Sequence, residues 1–580
     1  MKHLKIFETN TLFEAARAAL NLPNVSLVEE NYGIQFLPYV EQDPYNGHDY
    51  SQDYLTLIAI DDCDFNVVPF NGGISYSLDG GETWSEEVGE LSNPISVNAG
   101  DRVLLKGSYG SITPEETSGD EYGGGYGEYG SGYGYDETTA VSRISSTGRY
   151  SVEGNIMSLV YGDNFVGQTS LANLNNVFEK LFAMTEDDYS YETYDYDSKI
   201  ISAENLSLPA TTLSDYCYAN MFYGCNTLTA APVLSATTLA DHCYEQMFYG
   251  CESLTTLPQL LATTLSDYCY ANMFENCESI TSVPFDYLPV TTLTDHCYSN
   301  MFSGSSLANL PQLPATTLAN YCYENMFLNC NITSIPSNYL PATTLAESCY
   351  EQMFGGNTGI TQLPTLPATT LATNCYSSMF YRTGITSIPS NYLPVTTLAE
   401  GCYRSMFSSC SSLTSIPSGL LPATTLAKGC YNYMFSGCSN LVSVPSNLLP
   451  ATTLTSYCYN QMFYECTALT TAPELPATAL APNCYMNMFN GCTSLTTSPT
   501  LSATALVDYC YASMFKNCIS LTSITCLAET GFNLSSWTYP LNDWVSGVAA
   551  SGTFTKSSNA SDWQNGTSGI PSGWTVQNAS

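Results

Sequence analysis

The chain has 580 residues, with 53 acidic side chains against 14 basic ones and a formal net charge of −39. Its length exceeds what one hydrophobic core supports, so several units are expected, and 44% hydrophobic residues is typical of a folded protein. Such a charge is repelled by nucleic acid and by anionic membrane surfaces, which excludes both as partners. No apolar run reaches about 18 residues, so no membrane insertion is expected.

Residues 1–45 are predicted to form a small N-terminal module. LFEAARAAL has the spacing of a short amphipathic helix, and VSLVEENYGIQFLP that of two strands joined by a turn at Asn31-Tyr32-Gly33. The start contains no apolar signal-peptide core, so export by that route is not expected. The module resembles a short N-terminal segment of otherwise dissimilar gut-phage virion proteins, which implies attachment to other virion proteins. An ordinary hairpin cap is the alternative.

Residues 46–154 are predicted to form a β-sandwich. YLTLIAI, GISYSL, PISVNAGDRVLLKGS and GRYSVEGN alternate apolar and polar residues, with turns at Asp79-Gly80-Gly81 and Asn98-Ala99-Gly100. A loop rich in Gly, Tyr and acidic residues (111–140) interrupts this domain.

Residues 155–205 are predicted to cap the repeats that follow. Val177-Phe178-Glu179-Lys180-Leu181-Phe182 stands where later units have CYxxMF, and the end of a repeat array needs such an atypical unit. A second Tyr- and Asp-rich loop (185–198) interrupts the cap.

The two loops are the candidate ligand-binding segments. Tyrosine on a glycine-rich backbone offers wide amphipathic rings at low entropic cost, as in antibody paratopes, and the rings also stack on sugars. Neighbouring carboxylates suit sugar hydroxyls or Ca²⁺, the one cofactor considered. A disordered, solvated loop is the equal alternative. The candidate residues are Tyr122, Tyr126, Tyr129, Tyr133, Tyr135, Tyr189, Tyr191, Tyr194 and Tyr196.

From residue 206 to 526 the sequence repeats every 25–28 residues, as in LPATTLSDYCYANMFYGC at 208 and LSATTLADHCYEQMFYGC at 234. With the first cysteine of each of twelve units as position 0, Leu stands at −4, Tyr at +1, Met at +4 and Phe at +5, and nine units have a second Cys at +8. One unit cannot bury enough surface to fold alone, so the units are expected to stack into a solenoid.

Each repeat is predicted to carry a helix followed by a short strand. At about 100° per residue, the apolar positions fall within half of a helical circumference. Thr212 with Asp215 has the spacing of a capping box, and Gly224 stands where the helix would end.

The pattern resembles the BspA-type leucine-rich repeats. The residues that carry the resemblance are Met221-Phe222, Cys225, Leu228, Pro232 and Leu239, with their equivalents as far as Cys526. It implies a right-handed solenoid with a parallel sheet on one side, and relatives that are surface or secreted adhesins or phage and prophage proteins, not enzymes. The predicted fold class is therefore a mixed α/β leucine-rich-repeat solenoid of about twelve units, preceded by a small N-terminal module and a β-sandwich domain.

The repeat cysteines are predicted to be buried thiols. On a helix, cysteines eight residues apart lie about 12 Å apart, too far for one metal ion or one disulfide. Ser305, Asn357 and Thr383 replace the second cysteine in three units, which weakens the alternative of metal or disulfide bonding between units. The predicted structural core is represented by Cys217, Met221, Phe222, Cys243, Met247, Phe248, Cys269, Met273 and Phe274.

Residues 527–580, with Trp544, Trp563 and Trp574, are predicted to form a C-terminal cap. Outward Thr-Thr pairs, such as 211–212 and 237–238, predict a hydroxyl-rich strip that suits glycans or protein edges, or is simply solvated surface. His242 and His296 vary between units and are read as decoration, not a site.

A non-enzymatic binding protein is the predicted function. The sequence shows no phosphate loop, no metal spacing and only 4 histidines, although a carboxylate pair for glycoside cleavage is possible among 53 acids. The specific expectation is a phage virion appendage, on tail or capsid, that adheres to a glycan or protein of the host surface. A bacterial surface or secreted adhesin and a virion decoration without a ligand are the alternatives.

Overall fold

The computed structural model describes residues 25–30, 33–38, 48–68, 72–86, 94–109, 143–184, 198–532 and 539–579. Within these residues lie one α-helix, α1 (Ser158–Tyr161), and two 3₁₀ segments, Tyr50–Gln52 and Gly162–Asn164. The strands are β1 (Val25–Glu30), β2 (Gly33–Pro38), β3 (Leu55–Ala59), β4 (Cys63–Val68), β5 (Gly72–Ser77), β6 (Ile95–Val97), β7 (Arg102–Tyr109), β8 (Arg143–Ser146), β9 (Tyr150–Asn155), β10 (Ile200–Leu208), β11 (Val233–Leu234), β12 (Thr497–Leu501), β13 (Ser523–Cys526), β14 (Thr553–Lys556) and β15 (Thr575–Asn578). No described helix is long and apolar enough to cross a membrane.

Strands β1 and β2 form an antiparallel hairpin that pairs Val25 with Pro38 and Glu30 with Gly33. Of the turn predicted at Asn31-Tyr32-Gly33, Gly33 is the first residue of β2, and residues 31 and 32 lie outside the described residues. The helix predicted within LFEAARAAL lies outside the described residues.

Two sheets form the domain before the repeats. One has the order β6-β4-β8, and the other has the order β11-β10-β9-β3-β7-β5. In β4 the buried side chains Cys63, Phe65 and Val67 alternate with more exposed ones, which gives that sheet one apolar face. The rings of Phe65 and Tyr150 meet edge to face with centroids 5.3 Å apart, so the two sheets share a core.

The larger sheet continues from this domain into the repeats. Strand β9 pairs in parallel with β10, matching Asn155 with Ser207, and β10 pairs in parallel with β11, matching Leu208 with Leu234. The boundary expected at residue 154 therefore lies within a continuous sheet.

The helix predicted for each repeat is wrong, because that segment is a run of consecutive turns, called here the turn ribbon. In the first repeat the N–H of Cys217 donates to the carbonyl of Ser214, three residues back. The next N–H, of Tyr218, donates instead to the carbonyl of Cys243 in the following repeat, at 3.0 Å. The alternation continues along the ribbon, so every second amide bonds to a neighbouring repeat, whereas a helix satisfies its amides internally.

Every fourth residue of the turn ribbon has a left-handed backbone. Tyr216 has φ 56°, Asn220 has φ 56° and Gly224 has φ 71°. Gly224 therefore continues the ribbon instead of ending a helix. A period of four places two residues inward and two outward, which explains why positions 0, +1, +4, +5 and +8 look helical in the sequence.

The predicted strand after each ribbon is shorter than expected. Across the middle repeats it is reduced to single parallel bridges such as Ser415↔Ser443 and Ser443↔Thr471. Longer parallel strands form near the C-terminus, where the sheet order is β12-β13-β14-β15.

Rings from successive repeats stack in two columns through the core. Tyr218 and Tyr244 lie 5.7 Å apart between centroids, and Phe222 and Phe248 lie 5.5 Å apart. Both columns extend to the last repeat with similar spacing. The nine representative core residues have no exposed surface; they are Cys217, Met221, Phe222, Cys243, Met247, Phe248, Cys269, Met273 and Phe274.

The second cysteine of a repeat acts as a hydrogen-bond donor. The Cys225 thiol donates to the carbonyl of Phe182 at 3.1 Å, one ribbon back. Where the cysteine is replaced, the Asn357 amide donates to the carbonyl of Phe327 at 2.7 Å, and the Thr383 hydroxyl donates to the carbonyl of Phe380, within its own ribbon, at 2.8 Å. These substitutions at position +8 therefore keep a donor.

Both ends of the repeats are closed by imperfect copies of the ribbon. Before the first repeat, Phe178 donates its N–H to the carbonyl of Cys217, and the rings of Phe178 and Tyr218 stack at 5.7 Å. After the last repeat, Trp544 takes the place of a methionine, is fully buried and donates its indole N–H to the carbonyl of Gly569 at 2.8 Å.

Candidate binding surfaces

The tyrosine loops predicted to bind ligand lie outside the described residues. This holds for Tyr122, Tyr126, Tyr129, Tyr133, Tyr135, Tyr189, Tyr191, Tyr194 and Tyr196. The surfaces that the structure describes on the repeats are columns formed by equivalent residues of successive ribbons and strands.

The threonine strip consists of the adjacent residues at positions −6 and −5 of the second to the twelfth repeat, from Thr237-Thr238 to Thr504-Ala505, and all of them are exposed. Its backbone is fixed by bonds between repeats. The amides of Thr237 and Thr238 both donate to the carbonyl of Thr211 at 3.0 Å. The Thr237 hydroxyl donates to the same carbonyl at 3.4 Å, which orients that side chain.

Next to the strip, an aspartate column occupies position −2 of the first four repeats. One carboxylate oxygen of Asp215 accepts the N–H of Asp241 at 3.2 Å. In the same way, Asp241 accepts the N–H of Asp267, and Asp267 accepts the N–H of Asp295. Asp295 ends the column by accepting the N–H of Asn320 at 2.9 Å. The carboxylates thus also stabilise the stacking of the ribbons.

A second column, at position −1, consists of alternating tyrosine and histidine rings. Tyr216, His242, Tyr268, His296 and Tyr321 stack nearly parallel, with centroids 4.3, 4.4, 4.2 and 4.4 Å apart. Burial lowers the pKa of His296, although the nearby charges of Asp295 and Asp267 oppose this shift.

The ordered stack at position −1 differs from the variable decoration that the sequence suggests for His242 and His296. The signal in the sequence is the strict alternation of Tyr and His before the cysteine in the first five repeats. Because the ring faces cover one another, the column presents ring edges outward and has little aromatic face for a sugar to stack on.

Another group that sequence reasoning missed lies where the β domain meets the cap. Asp163 accepts hydrogen bonds from the Tyr54 hydroxyl and the Lys106 ammonium, both at 2.8 Å. The ammonium nitrogen also lies 4.2 Å from the centroid of the Trp84 ring. Burial, together with the bond to Asp163, raises the pKa of Tyr54 to about 12. These contacts hold β3, β7 and the cap together.

The thiols are poorly placed for chemistry. All 23 cysteines are free and buried. Burial raises the pKa of Cys217 to about 12, and that of Cys410 to about 11, so the thiolate needed to attack a substrate or to bind zinc is disfavoured. Within the described part of the chain, no group of three or more His, Cys, Asp or Glu side chains is arranged to hold a metal ion.

Comparison with known families identifies the repeats. The model of the BspA-type leucine-rich repeat region matches in six copies, over residues 215–357, 267–414 and 403–534. Together these matches span more than half of the chain, and they begin and end close to the turn ribbons described above. Leucine-rich repeats are generally scaffolds for protein interaction. A comparison with curated proteins gives no match.

Proposed function

Because the chain belongs to the BspA-type leucine-rich repeat family, we propose that it is a non-enzymatic binding protein, an adhesin that engages a cell surface. The observation that carries this proposal is the contrast between the inside and the outside of the repeats. Thiols and core tyrosines are buried, whereas the outward-facing residues at equivalent positions of successive repeats form long columns on the surface. Such an arrangement suits recognition of an extended partner.

We further infer that residues 206–526 form a single solenoid of about twelve units of 25–28 residues. Hydrogen bonds between each ribbon and the next support this inference, since they recur from the cap at Phe178 to the final ribbon at Trp544.

For its location we propose a phage virion, with the chain as a tail or capsid appendage that adheres to the host. The N-terminal resemblance supports this proposal, with the first 45 residues contacting other virion proteins. The charge of −39 also supports it, because copies that repel one another stay dispersed on a crowded surface. Family membership favours a second candidate, an adhesin on the bacterial surface or in the medium.

Two measurements test these proposals. Mass spectrometry of purified phage particles and of washed bacterial cells, from the same culture, is expected to find the chain on particles. Fluorescently labelled full-length protein is expected to bind the host cells and to be displaced by unlabelled protein. If the chain is found only on cells, the bacterial adhesin replaces the virion proposal. If particles carry the chain but the protein does not bind cells, the chain is a virion decoration without a ligand.

A further inference from the structure

The threonine strip is free of charge on a very acidic protein. The six residues from position −9 to −4, such as LPATTL or LSATTL, contain no charged side chain in any of the twelve repeats, so all 53 acids lie elsewhere. The strip therefore offers hydroxyl groups and no charge, which suits an uncharged partner.

The flanks of the strip define the partner further. The aspartate column begins only three residues after the threonine pair, with Asp241 and Asp267 exposed beside it. An anionic polymer on the strip would be repelled by these carboxylates, and a second copy of this chain would bring its own net charge of −39. Both are therefore poor occupants.

The strip is rigid before it binds. Inter-repeat bonds fix its backbone, as the amide of Thr369 donates to Thr343 at 2.9 Å and the Thr369 hydroxyl reaches the same carbonyl at 3.5 Å. Threonine is β-branched and has few rotamers to lose. Binding therefore orders little that is not already ordered.

The spacing of the strip separates two classes of partner. Equivalent residues of parallel-bridged repeats, such as Thr344 and Thr370, recur at the spacing of neighbouring strands, about 4.8 Å. Side chains on one face of an extended peptide recur at about 6.6 Å, so the side chains of a peptide lying along the stack do not match the spacing of the repeats. A chain of sugar rings repeats at an interval comparable to the strip and carries donors and acceptors on every ring.

We propose that the threonine strip binds an uncharged linear polysaccharide lying along the stack of repeats, with sugar hydroxyls bonded to threonine hydroxyls. This assignment rests on the proposed adhesin function and names the partner and the face. Each contact is weak, about 1 kcal/mol for a neutral hydrogen bond. Affinity arises because one polymer makes the same contact in many repeats at once.

The test uses the full-length protein in native gels that contain dextran, mannan, laminarin, hydroxyethylcellulose or the anionic polygalacturonate. At least one uncharged polymer is expected to retard the wild-type chain, whereas polygalacturonate leaves its mobility unchanged. The strip variant replaces exposed threonines at position −5 by isosteric valine and is expected to weaken binding at least tenfold. Its substitutions are Thr292→Val, Thr317→Val, Thr344→Val, Thr370→Val and Thr397→Val.

The matched control has the same chemistry in a different column of the repeats. It carries Thr255→Val, Thr281→Val, Thr333→Val, Thr414→Val and Thr496→Val, all at exposed positions. It is expected to bind as the wild type does, and circular dichroism with the urea midpoint shows that both variants are folded. Equal retardation of the strip variant, retardation by polygalacturonate alone, or no retardation by any uncharged polymer overturns the inference.

Binding of the same proteins to host cells separates this inference from the proposed function. If the wild type and the strip variant adhere equally well to cells, the strip has no role in recognition, but the adhesin function still holds. A wild-type chain that binds neither cells nor any polymer contradicts both.

Discussion

Exchanging a left-handed residue of the turn ribbon for glycine and for alanine tests the ribbon against a helix. Glu465 is exposed and has φ 56°, while the equivalent positions of the neighbouring repeats are Gly437, with φ 73°, and Gly491, with φ 79°. Glycine adopts this conformation freely, whereas an L-residue has a steric cost of about 1–2 kcal/mol there. We therefore expect Glu465→Gly to be more stable than Glu465→Ala by about 1 kcal/mol.

A helix gives the opposite order. In a helix interior glycine is about 1 kcal/mol less favourable than alanine, so the sign of the difference identifies the backbone. Hydrogen exchange of the amides from Gln461 to Cys466 measures the local free energy of opening, and the urea midpoint of the full chain gives a second reading.

Glu278 is the matched control, because it is also exposed but does not have a left-handed backbone. There Glu278→Gly is expected to be less stable than Glu278→Ala by about 0.4–1 kcal/mol. Alanine more stable than glycine at both positions would refute the turn ribbon.

Three further predictions address the core and the cap. Burial, with the charge of Glu351, raises the pKa of Glu324 from 4.5 to about 7, so stability is lost as pH rises from about 4.5 to 7. We therefore expect Glu324→Gln to raise the free energy of unfolding by about 3 kcal/mol at pH 8 and to leave it nearly unchanged at pH 4. Urea unfolding at both pH values measures this difference. Iodoacetamide at pH 8 is expected to label none of the 23 cysteines in the folded chain and all of them in guanidinium, measured by intact mass, and labelling before unfolding would show that the core is open. Trp544→Ala is expected to destabilise the C-terminal cap by about 3–5 kcal/mol and Trp544→Phe by less. The measurement is the rate of proteolysis between residues 539 and 579. Equal resistance of both variants to proteolysis would contradict the role given to this ring.

The repeat could be predicted from the sequence, but its backbone could not. The spacing of cysteine, methionine and phenylalanine identified the family and the inward residues. It could not separate periods of 3.6 and 4 over a nine-residue window, because positions 0, +4 and +8 fall on one face in both. The deciding signal was the recurrence of Asn and Gly at every fourth position, as at Asn220 and Gly224, where a left-handed backbone is needed.

The surfaces were less predictable than the core. The outward Thr-Thr pairs can be read from the sequence, since they follow the periodicity of the repeat. The alternation of Tyr and His from Tyr216 to Tyr321 is visible in the sequence, but it does not show that the rings stack. Stacking depends on how closely neighbouring ribbons approach at position −1, and that distance follows from hydrogen bonds between repeats. Sequence alone likewise gave no reason to join β9 to β10 across a domain boundary.

The alternation of amide bonds within the turn ribbon has a consequence for how such a gene changes. Each ribbon donates to its successor the same row of N–H groups that its predecessor donated to it, so a unit removed or duplicated whole leaves two matching surfaces that close again. Copy number can therefore drift in steps of one repeat while both terminal closures stay as they are, and the length of the displayed columns becomes adjustable without any new chemistry.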